Sequence, residues 1–162
     1  MPRFSNTIEI ARPPEEVFAF LADHRNVPRW NYFVRTVRAL DGTTPALGAR
    51  YHQVRRDDEQ TFQITEWSPG RSFTIATLPG QRPAFERTMR FTSTPGGVRI
   101  DDAWLLDIGQ PRLLEPMLAQ AARRGVGDNL ARLRELLENG RTRLQDGRLS
   151  VLAGSELIRS GG

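Results

Sequence analysis

The chain contains no cysteine, no lysine and only two histidines, His24 and His52. Without cysteine it has no thiol nucleophile, no disulfide and no thiolate metal site. Without lysine it has no side-chain amine for a Schiff base or a pyridoxal phosphate anchor, and no phosphate-binding loop that ends in Gly-Lys-Ser/Thr. Two histidines also argue against a His-rich metal centre. We therefore expect neither a metal ion nor a cofactor.

Long hydrophobic runs are missing as well. The first residues, Met-Pro-Arg-Phe-Ser-Asn, lack the apolar core of a secretion signal. No stretch approaches the roughly 20 apolar residues of a membrane-spanning helix. These absences predict a cytoplasmic protein that does not insert into membranes. The 162 residues, with 38% hydrophobic content, suffice for one core, so we expect a single domain.

Positive charge is in modest excess, with 23 basic residues against 19 acidic residues and a formal net charge of +4. The arginines are spread from Arg3 to Arg159 among acidic residues, and no run exceeds a pair such as Arg55-Arg56. Proteins that bind nucleic acids concentrate their basic residues in a patch or a stripe. The even distribution therefore argues against a nucleic acid partner.

The order of apolar patterns predicts an α+β domain. Residues 4–11 alternate as a strand does, and Pro13-Pro14-Glu15-Glu16 is typical of the first turn of a helix. A second short helical turn is expected within residues 23–31. Residues 33–108 have the pattern of successive strands separated by turn signals, which indicates an antiparallel meander. A long helix is predicted from about residue 112 to 138, ending at Asn139-Gly140.

Two opposite charges fall on the apolar face of the last predicted hairpin. Side chains alternate along a strand, so Asp102 shares its face with Trp104, and Arg87 shares its face with Met89. A turn centred on Pro95-Gly96 sets Met89 opposite Asp102 and Arg87 opposite Trp104. Arg87 and Asp102 are then diagonal neighbours, close enough for long side chains to meet.

A charge that faces an apolar layer is costly unless it is paired, hydrated or bound to a ligand. Three interpretations of Arg87 and Asp102 therefore stay open. They form a structural ion pair, they orient a polar group of a ligand in a cavity, or they meet water where the strands leave the covered region. The cavity is favoured because more polar residues share the same face.

Those residues are Tyr51, Gln53, Glu66 and Thr77. Their positions follow from counting outward from two predicted turns, Pro69-Gly70 and Asp57-Asp58. The predicted pairs are Glu66 with Phe73, Phe62 with Thr77, Tyr51 with Ile64 and Gln53 with Phe62. Together with Arg87, Asp102 and Trp104, the four residues make up the predicted lining of a partly polar ligand pocket.

Five segments of the chain, in this order, resemble a known superfamily. They are IEIARPPEEVFAFL (residues 8–21), VPRWN (27–31), EWSPGRSF (66–73), MRF (89–91) leading into GVRI (97–100), and NLARLRELLE (129–138). The sequence is similar to the SRPBCC superfamily (START/Bet v 1-like), and within it to the polyketide cyclase/dehydrase-like branch. The resemblance implies a helix-grip fold, in which a curved antiparallel seven-stranded sheet wraps around a long C-terminal helix and two short helices follow the first strand. It also implies a cavity for a hydrophobic small molecule between the sheet and that helix.

Three functions stay open. In the first, the protein is a carrier or binding protein for a hydrophobic lipid- or polyketide-like molecule. In the second, it is a metal-free cyclase, dehydratase or isomerase in which Asp102 or Glu66 is the general base, Tyr51 donates a proton and Arg87 polarises a carbonyl or enolate oxygen. A tight Arg87–Asp102 pair would make Glu66 the better base. In the third, the protein is an interaction module whose basic surface binds RNA or an acidic partner, and there is no ligand.

The resemblance also sets the expected boundaries. One domain is predicted over residues 1–140, and residues 141–162 are predicted to be a tail that is loosely docked or disordered. A homodimer through the sheet edge or the tail is a further expectation. His52 should point away from the face of Tyr51 and Gln53. Two alternatives stay open for His24, which lies near the first helices where a cavity mouth could be: a role at that mouth or, as is commoner for such a residue, simple solvation.

Overall fold

The computed structural model describes residues 2–152, which form nine strands and two α-helices. The strands are β1 (Arg3–Ile10), β2 (Val34–Ala39), β3 (Arg50–Arg55), β4 (Glu59–Ser68), β5 (Ser72–Thr77), β6 (Ala84–Thr94), β7 (Gly97–Asp107), β8 (Arg141–Arg143) and β9 (Leu149–Val151). The helices are α1 (Pro14–Ala22) and α2 (Glu115–Asn139), with short 3₁₀ helices at His24–Arg29 and Arg112–Leu114. Within the described residues, no helix has the length and apolar content to cross a bilayer.

Seven strands form one antiparallel sheet in the order β1-β7-β6-β5-β4-β3-β2. The sheet curls around α2, and α1 and the first 3₁₀ helix follow β1 directly. This arrangement is the predicted α+β helix-grip fold. Because β1 pairs with β7, the first strand of the chain lies beside the last strand of the meander. The sheet therefore presents one continuous concave face.

The two short helical elements close one end of that face. Pro13 lies just before α1 and Pro14 is its first residue. Proline is tolerated there because the first backbone N–H groups of a helix have no acceptor within the helix. Val17, Phe18 and Leu21 are buried, and the Phe18 ring contacts the rings of Phe73 and Phe91 on the sheet. α1 therefore anchors the closed end of the core through aromatic packing.

The two halves of α2 are packed differently. The C-terminal half buries the leucines Leu130, Leu133, Leu136 and Leu137 against the sheet. The N-terminal half has small side chains at Ala121, Ala122 and Gly125, and none of its residues is fully buried. Gly140 ends the helix in a left-handed conformation, with φ of 80°, as the sequence predicts.

The predicted pairing of β6 with β7 is confirmed. Met89 lies opposite Asp102 and Arg87 lies opposite Trp104. Pro95 and Gly96 form the turn between the strands, and at Gly97 a Cβ would collide with the carbonyl oxygen of Ile10 on the neighbouring β1. A tight turn and a buried apolar face together leave only one register.

The predicted pairing of β3 with β4 was wrong by two residues. Tyr51 lies opposite Phe62, and Gln53 lies opposite Gln60. The turn is centred between Arg56 and Asp57, one residue earlier than predicted. The Arg56 side chain donates to the carbonyl oxygen of Tyr32 at 3.0 Å and to Asp146 at 2.9 Å, so contacts outside the hairpin hold this turn.

Residues 141–152 form a hairpin, which was not predicted from the sequence. Strands β8 and β9 pair with each other, and the backbone N–H of Leu152 donates to the carbonyl oxygen of Gly140 at 2.9 Å. Leu144 and Leu152 are buried at 3% and 7% exposure. This part of the predicted tail is therefore packed onto the domain. The rest of the tail, residues 153–162, lies outside the described residues.

Candidate ligand cavity

A cavity of about 240 Å³ lies between the concave sheet, the first 3₁₀ helix and the N-terminal half of α2. Its volume is somewhat below the roughly 300–1,000 Å³ typical of small-molecule sites. The aromatic wall residues are Phe4, Trp30, Phe33, Phe62, Phe85 and Trp104. The polar wall residues are His24, Asn31, Gln53, Arg55, Arg87 and Asn129.

The small residues of α2 make room for the cavity. Ala121, Ala122, Gly125 and Val126 form its helical wall, one turn before the leucines fill the same space. A Cβ on Gly125 would lie 3.7 Å from the Phe33 ring, so the helix passes close to that aromatic side chain. The cavity therefore occupies the space that larger side chains on this half of α2 would fill.

The predicted pair of Arg87 and Asp102 is present beside the cavity. Arg87 Nε donates to Asp102 Oδ1 and Arg87 Nη2 donates to Asp102 Oδ2, both at 2.7 Å. Asp102 is fully buried and Arg87 is 6% exposed. Two parallel charge-assisted hydrogen bonds of this length are the strong form of an ion pair. The pair is therefore buried, and the interpretation in which it meets water is wrong.

Arg87 rather than Asp102 faces the cavity. The guanidinium lies over the Trp104 ring at 4.5 Å and over the Trp30 ring at 5.5 Å. Trp104 Nε1 donates to Asp102 Oδ2 at 3.1 Å, so both carboxylate oxygens already accept hydrogen bonds. Arg87 Nη1 donates to no residue in the described part of the chain. It is the unsatisfied end of the pair.

His24 lies in the same cavity wall, so of its two alternatives the solvated one was wrong. Only 3% of the residue is exposed, and its ring lies 5.1 Å from the ring of Tyr51 and 5.5 Å from that of Phe62. Burial, together with the charge of Arg87, lowers the pKa of His24 to about 4. The imidazole is therefore neutral at pH 7. The sequence gives no sign of this burial, because His24 is flanked by two charged residues, Asp23 and Arg25.

Gln53 lines the cavity, and it is held by Gln60, which was not singled out from the sequence. Gln53 Nε2 donates to Gln60 Oε1 at 2.8 Å, and Gln60 Nε2 donates to the carbonyl oxygen of Pro83 at 2.6 Å. Arg55 approaches the same Gln60 oxygen at 3.5 Å from the half-exposed rim. Gln60 is 1% exposed. The correct β3–β4 register would have revealed it, because it faces Gln53.

A second chain of amides crosses from the 3₁₀ helix to α2. Asn129 Nδ2 donates to Asn31 Oδ1 at 3.2 Å, and Gln145 Nε2 donates to Asn129 Oδ1 at 3.1 Å. The backbone N–H of Phe33 also donates to Asn31 Oδ1. Both asparagine oxygens are thus occupied, which fixes the orientation of the two wall residues.

Tyr51 and Thr77 face the concave side but do not line the cavity. Tyr51 is 1% exposed and lies behind Phe62, whose ring stacks on it at 5.4 Å. Burial raises the pKa of the Tyr51 phenol, which makes it a weaker proton donor. Thr77 ends β5, and its hydroxyl accepts from the backbone N–H of Phe85 at 3.1 Å. Neither residue contacts the cavity, so neither is placed for the role at the ligand that was predicted for it.

Glu66 lies outside the cavity, so the prediction that places it on the concave face was wrong. A β-bulge between Ile64 and Glu66 puts Glu66 opposite Thr74 instead of Phe73. Its carboxylate is exposed and accepts from the Thr74 hydroxyl at 3.2 Å. The extra residue reverses the facing of every side chain after it. Trp67 turns inward in its place and packs on Phe18.

No carboxylate lines the cavity within the described residues. Glu66 faces solvent, and Asp102 is covered by Arg87. The three predicted catalytic residues, Glu66, Asp102 and Tyr51, are therefore not brought together around a common space. The wall combines aromatic surface, neutral amides and two arginines, which suits binding of an apolar body with a polar end.

A sequence model of the family described as polyketide cyclase / dehydrase and lipid transport matches residues 1–138. The chain belongs to this family. The resemblance stated from the sequence is confirmed over almost all of the described residues. No curated protein sequence matches the chain significantly.

Solved structures with the same fold have little sequence in common with this protein. One from Thermus thermophilus has a TM-score of 0.68 at 18% identity and covers 83% of this chain and 95% of its own. One from Deinococcus radiodurans has a TM-score of 0.65 at 18% identity, covering 86% and 99%. The Aha1 dimer from Colwellia psychrerythraea has a TM-score of 0.64 at 13% identity, covering 85% and 97%. Identities this low show a shared fold alone.

Proposed function

We propose that this protein binds a lipid- or polyketide-like small molecule in the cavity, as a carrier or binding protein. The observation that carries the proposal is Arg87, a buried cation that keeps one amino group, Nη1, free at an aromatic wall. This group is open to the cavity, which Arg87 lines. A ligand oxygen at Nη1 would accept a charge-assisted hydrogen bond, which is stronger than one between neutral groups.

The walls favour an apolar ligand body. Six aromatic residues line the cavity, and burial of apolar surface contributes about 25 cal/mol per Å². Phe85 precedes Arg87 by two residues on β6, Trp104 lies opposite Arg87 on β7, and the two rings lie 5.5 Å apart, so apolar surface adjoins the polar contact. One polar group on an otherwise apolar molecule matches this distribution.

Binding is favoured over catalysis because no wall residue is placed to act as a base. The described wall has no carboxylate, and His24, with its pKa lowered to about 4, is a weak base. The family description names both cyclases and lipid transport, and this cavity suits the second of these activities. We assign Arg87, Gln53, Trp104 and His24 to the ligand contacts.

Filling the cavity tests the proposal. Ala122→Leu adds bulk to the helical wall, whereas Ala131→Leu adds the same bulk to the same helix outside the wall. Protein purified from its own host is analysed by native mass spectrometry for co-purifying compounds. We expect a bound compound in the wild type and in Ala131→Leu, and none in Ala122→Leu. Equal loading of the two variants would overturn the proposal.

A further inference from the structure

The charges around the cavity are of one sign. Arg87 and Arg55 are wall residues, and no Asp or Glu is a wall residue in the described part of the chain. Arg55 makes two long contacts, at 3.7 Å with Asp58 and at 3.5 Å with Gln60, and its side chain is 36% exposed at the rim. A cavity with cationic groups and no anionic group in its wall favours negatively charged oxygen over positively charged nitrogen.

The ion pair is oriented so that its positive end faces the cavity. Asp102 is fully buried behind Arg87, on the side away from the wall, and both of its oxygens are occupied. The free Nη1 group is therefore closer to the cavity than the carboxylate is. The lowered pKa of His24, to which the Arg87 charge contributes, is in line with a positive potential at this wall.

The amides add donors near this end. Asn31 Oδ1 accepts from Phe33 and Asn129, so Asn31 Nδ2 is the group left without a partner among the described residues. Gln53 Oε1 and the neutral His24 ring are the remaining acceptors on the wall. Neutral acceptors suit a hydroxyl group and do not offset a guanidinium charge.

We propose that the ligand carries an anionic oxygen, in the simplest case a carboxylate, which Arg87 Nη1 binds at the cavity wall. This inference rests on the proposed ligand-binding function and narrows it to apolar weak acids. An apolar molecule that ends in an alcohol lacks the charge-assisted hydrogen bond, and one that ends in an amine is repelled by both arginines.

Three probes with one carbon chain test the inference: octanoate, octan-1-ol and octylamine. Their binding to the full chain is measured by isothermal titration calorimetry at pH 7. We expect octanoate to bind about tenfold or more tightly than octan-1-ol, as a hydrogen bond to a charged group predicts, and octylamine to bind least. If octan-1-ol binds as tightly as octanoate, the anion inference fails and the ligand-binding function stands. If none of the three binds, both fail.

A double variant locates the effect. Arg87→Gln/Asp102→Asn removes both charges of the buried pair and leaves no unpaired ion, whereas Arg50→Gln/Asp41→Asn removes an exposed pair on β3 and the preceding loop. We expect the preference for octanoate to disappear in the first variant and to persist in the second. Persistence in the first variant would show that the anion binds elsewhere and would overturn the inference.

A measurement on the wild type keeps the test valid if the first variant does not fold. Trp30 and Trp104 flank Arg87, whereas Trp67 is not a wall residue. We expect octanoate to shift the indole N–H resonances of Trp30 and Trp104 in NMR spectra and to leave that of Trp67 unchanged. Unchanged Trp30 and Trp104 resonances at saturating octanoate would overturn the inference.

Discussion

Arg87 and Asp102 face each other diagonally across β6 and β7 and join through two hydrogen bonds of 2.7 Å in the interior of the domain. Their side chains are 7% and 0% exposed. Burying two charges costs several kcal/mol of desolvation for each ion, which a close two-point contact offsets. The pair thus holds in place Arg87, a cation that lines the cavity.

Removing only one partner should be far worse than removing both. Asp102→Ala leaves the Arg87 charge buried and unpaired, so we expect the free energy of unfolding to fall by about 3–5 kcal/mol. In Arg87→Met/Asp102→Leu no buried charge remains, and we expect most of that loss to be recovered. Urea denaturation of the three proteins measures the difference.

An exposed pair provides the control for this prediction. Arg50 and Asp41 also make a two-point contact, at 2.8 and 3.0 Å, but their side chains are 48% and 37% exposed. Because solvent screens this pair, Asp41→Ala should change stability much less than Asp102→Ala. Similar losses in the two variants would contradict the account of the buried pair.

The ion pair was predictable from sequence because two independent constraints agree on one register. The Pro95-Gly96 turn fixes the pairing of β6 with β7, and the apolar residues on both strands fix which face is buried. Parity alone then brings Arg87 and Asp102 together. The order of the elements and the end of α2 at Gly140 were predictable for a similar reason, since local signals and periodicity coincide there.

The outward orientation of Glu66 was not predictable, because the bulge that causes it leaves no local signal in this sequence. Thr65 is the extra residue in β4, and it carries neither the glycine nor the break in apolar pattern that often marks a bulge. The turn at Arg56-Asp57 escaped prediction because contacts with Tyr32 and Asp146, distant in sequence, determine it. Counting from turns fails wherever tertiary contacts move the turn.

The burial of His24 was not predictable from the sequence because it depends on the assembled fold. Polar neighbours surround it in sequence, and only the packing of the 3₁₀ helix against Tyr51, Phe62 and Phe73 encloses it. The same reason hid the position of the cavity. Small residues of α2 create it only where they face a concave sheet.

The buried His24 should make stability depend on pH. Its pKa is lowered from 6.5 to about 4 in the folded protein, so between these values the unfolded chain binds a proton that the folded chain does not. The contribution is fully present above pH 6.5 and is lost as the pH falls toward 4. At 1.36 kcal/mol per unit, the loss amounts to about 3 kcal/mol. Urea denaturation at a series of pH values measures it.

His24→Phe isolates this contribution, because carboxylates also titrate near the acidic end of the window. The phenylalanine ring keeps an aromatic side chain next to Tyr51, Phe62 and Phe73 and carries no ionisable group. We expect the variant to have a flatter dependence of unfolding free energy on pH between 6.5 and 4. Parallel curves for the variant and the wild type would exclude His24 as the source.

Ligand binding should be visible in tryptophan fluorescence. Trp30 and Trp104 line the cavity and Trp67 packs on Phe18 outside it. Octanoate does not absorb in the near ultraviolet, so any change in emission reports the environment of the rings. We expect Trp67→Phe to keep the change on binding and Trp104→Phe to lose a large part of it. A change that depends on Trp67 would place the ligand outside this cavity.

The hairpin after α2 should contribute to the stability of the domain. Leu144 and Leu152 are buried, whereas Leu149 on the same hairpin is 50% exposed. We expect Leu144→Ala and Leu152→Ala each to lower the free energy of unfolding by about 2–5 kcal/mol, as truncation of a buried leucine does. Leu149→Ala is the control and should change it by less than about 0.5 kcal/mol.

A chain that stops at Gly140 should accordingly unfold at a lower urea concentration than one that stops at Leu152. If the two chains unfold at the same urea concentration, the domain ends at Gly140 and the hairpin adds no stability. If the shorter chain is destabilised, the folded unit extends to Leu152, because Leu144 and Leu152 of the hairpin complete the core beneath the end of α2.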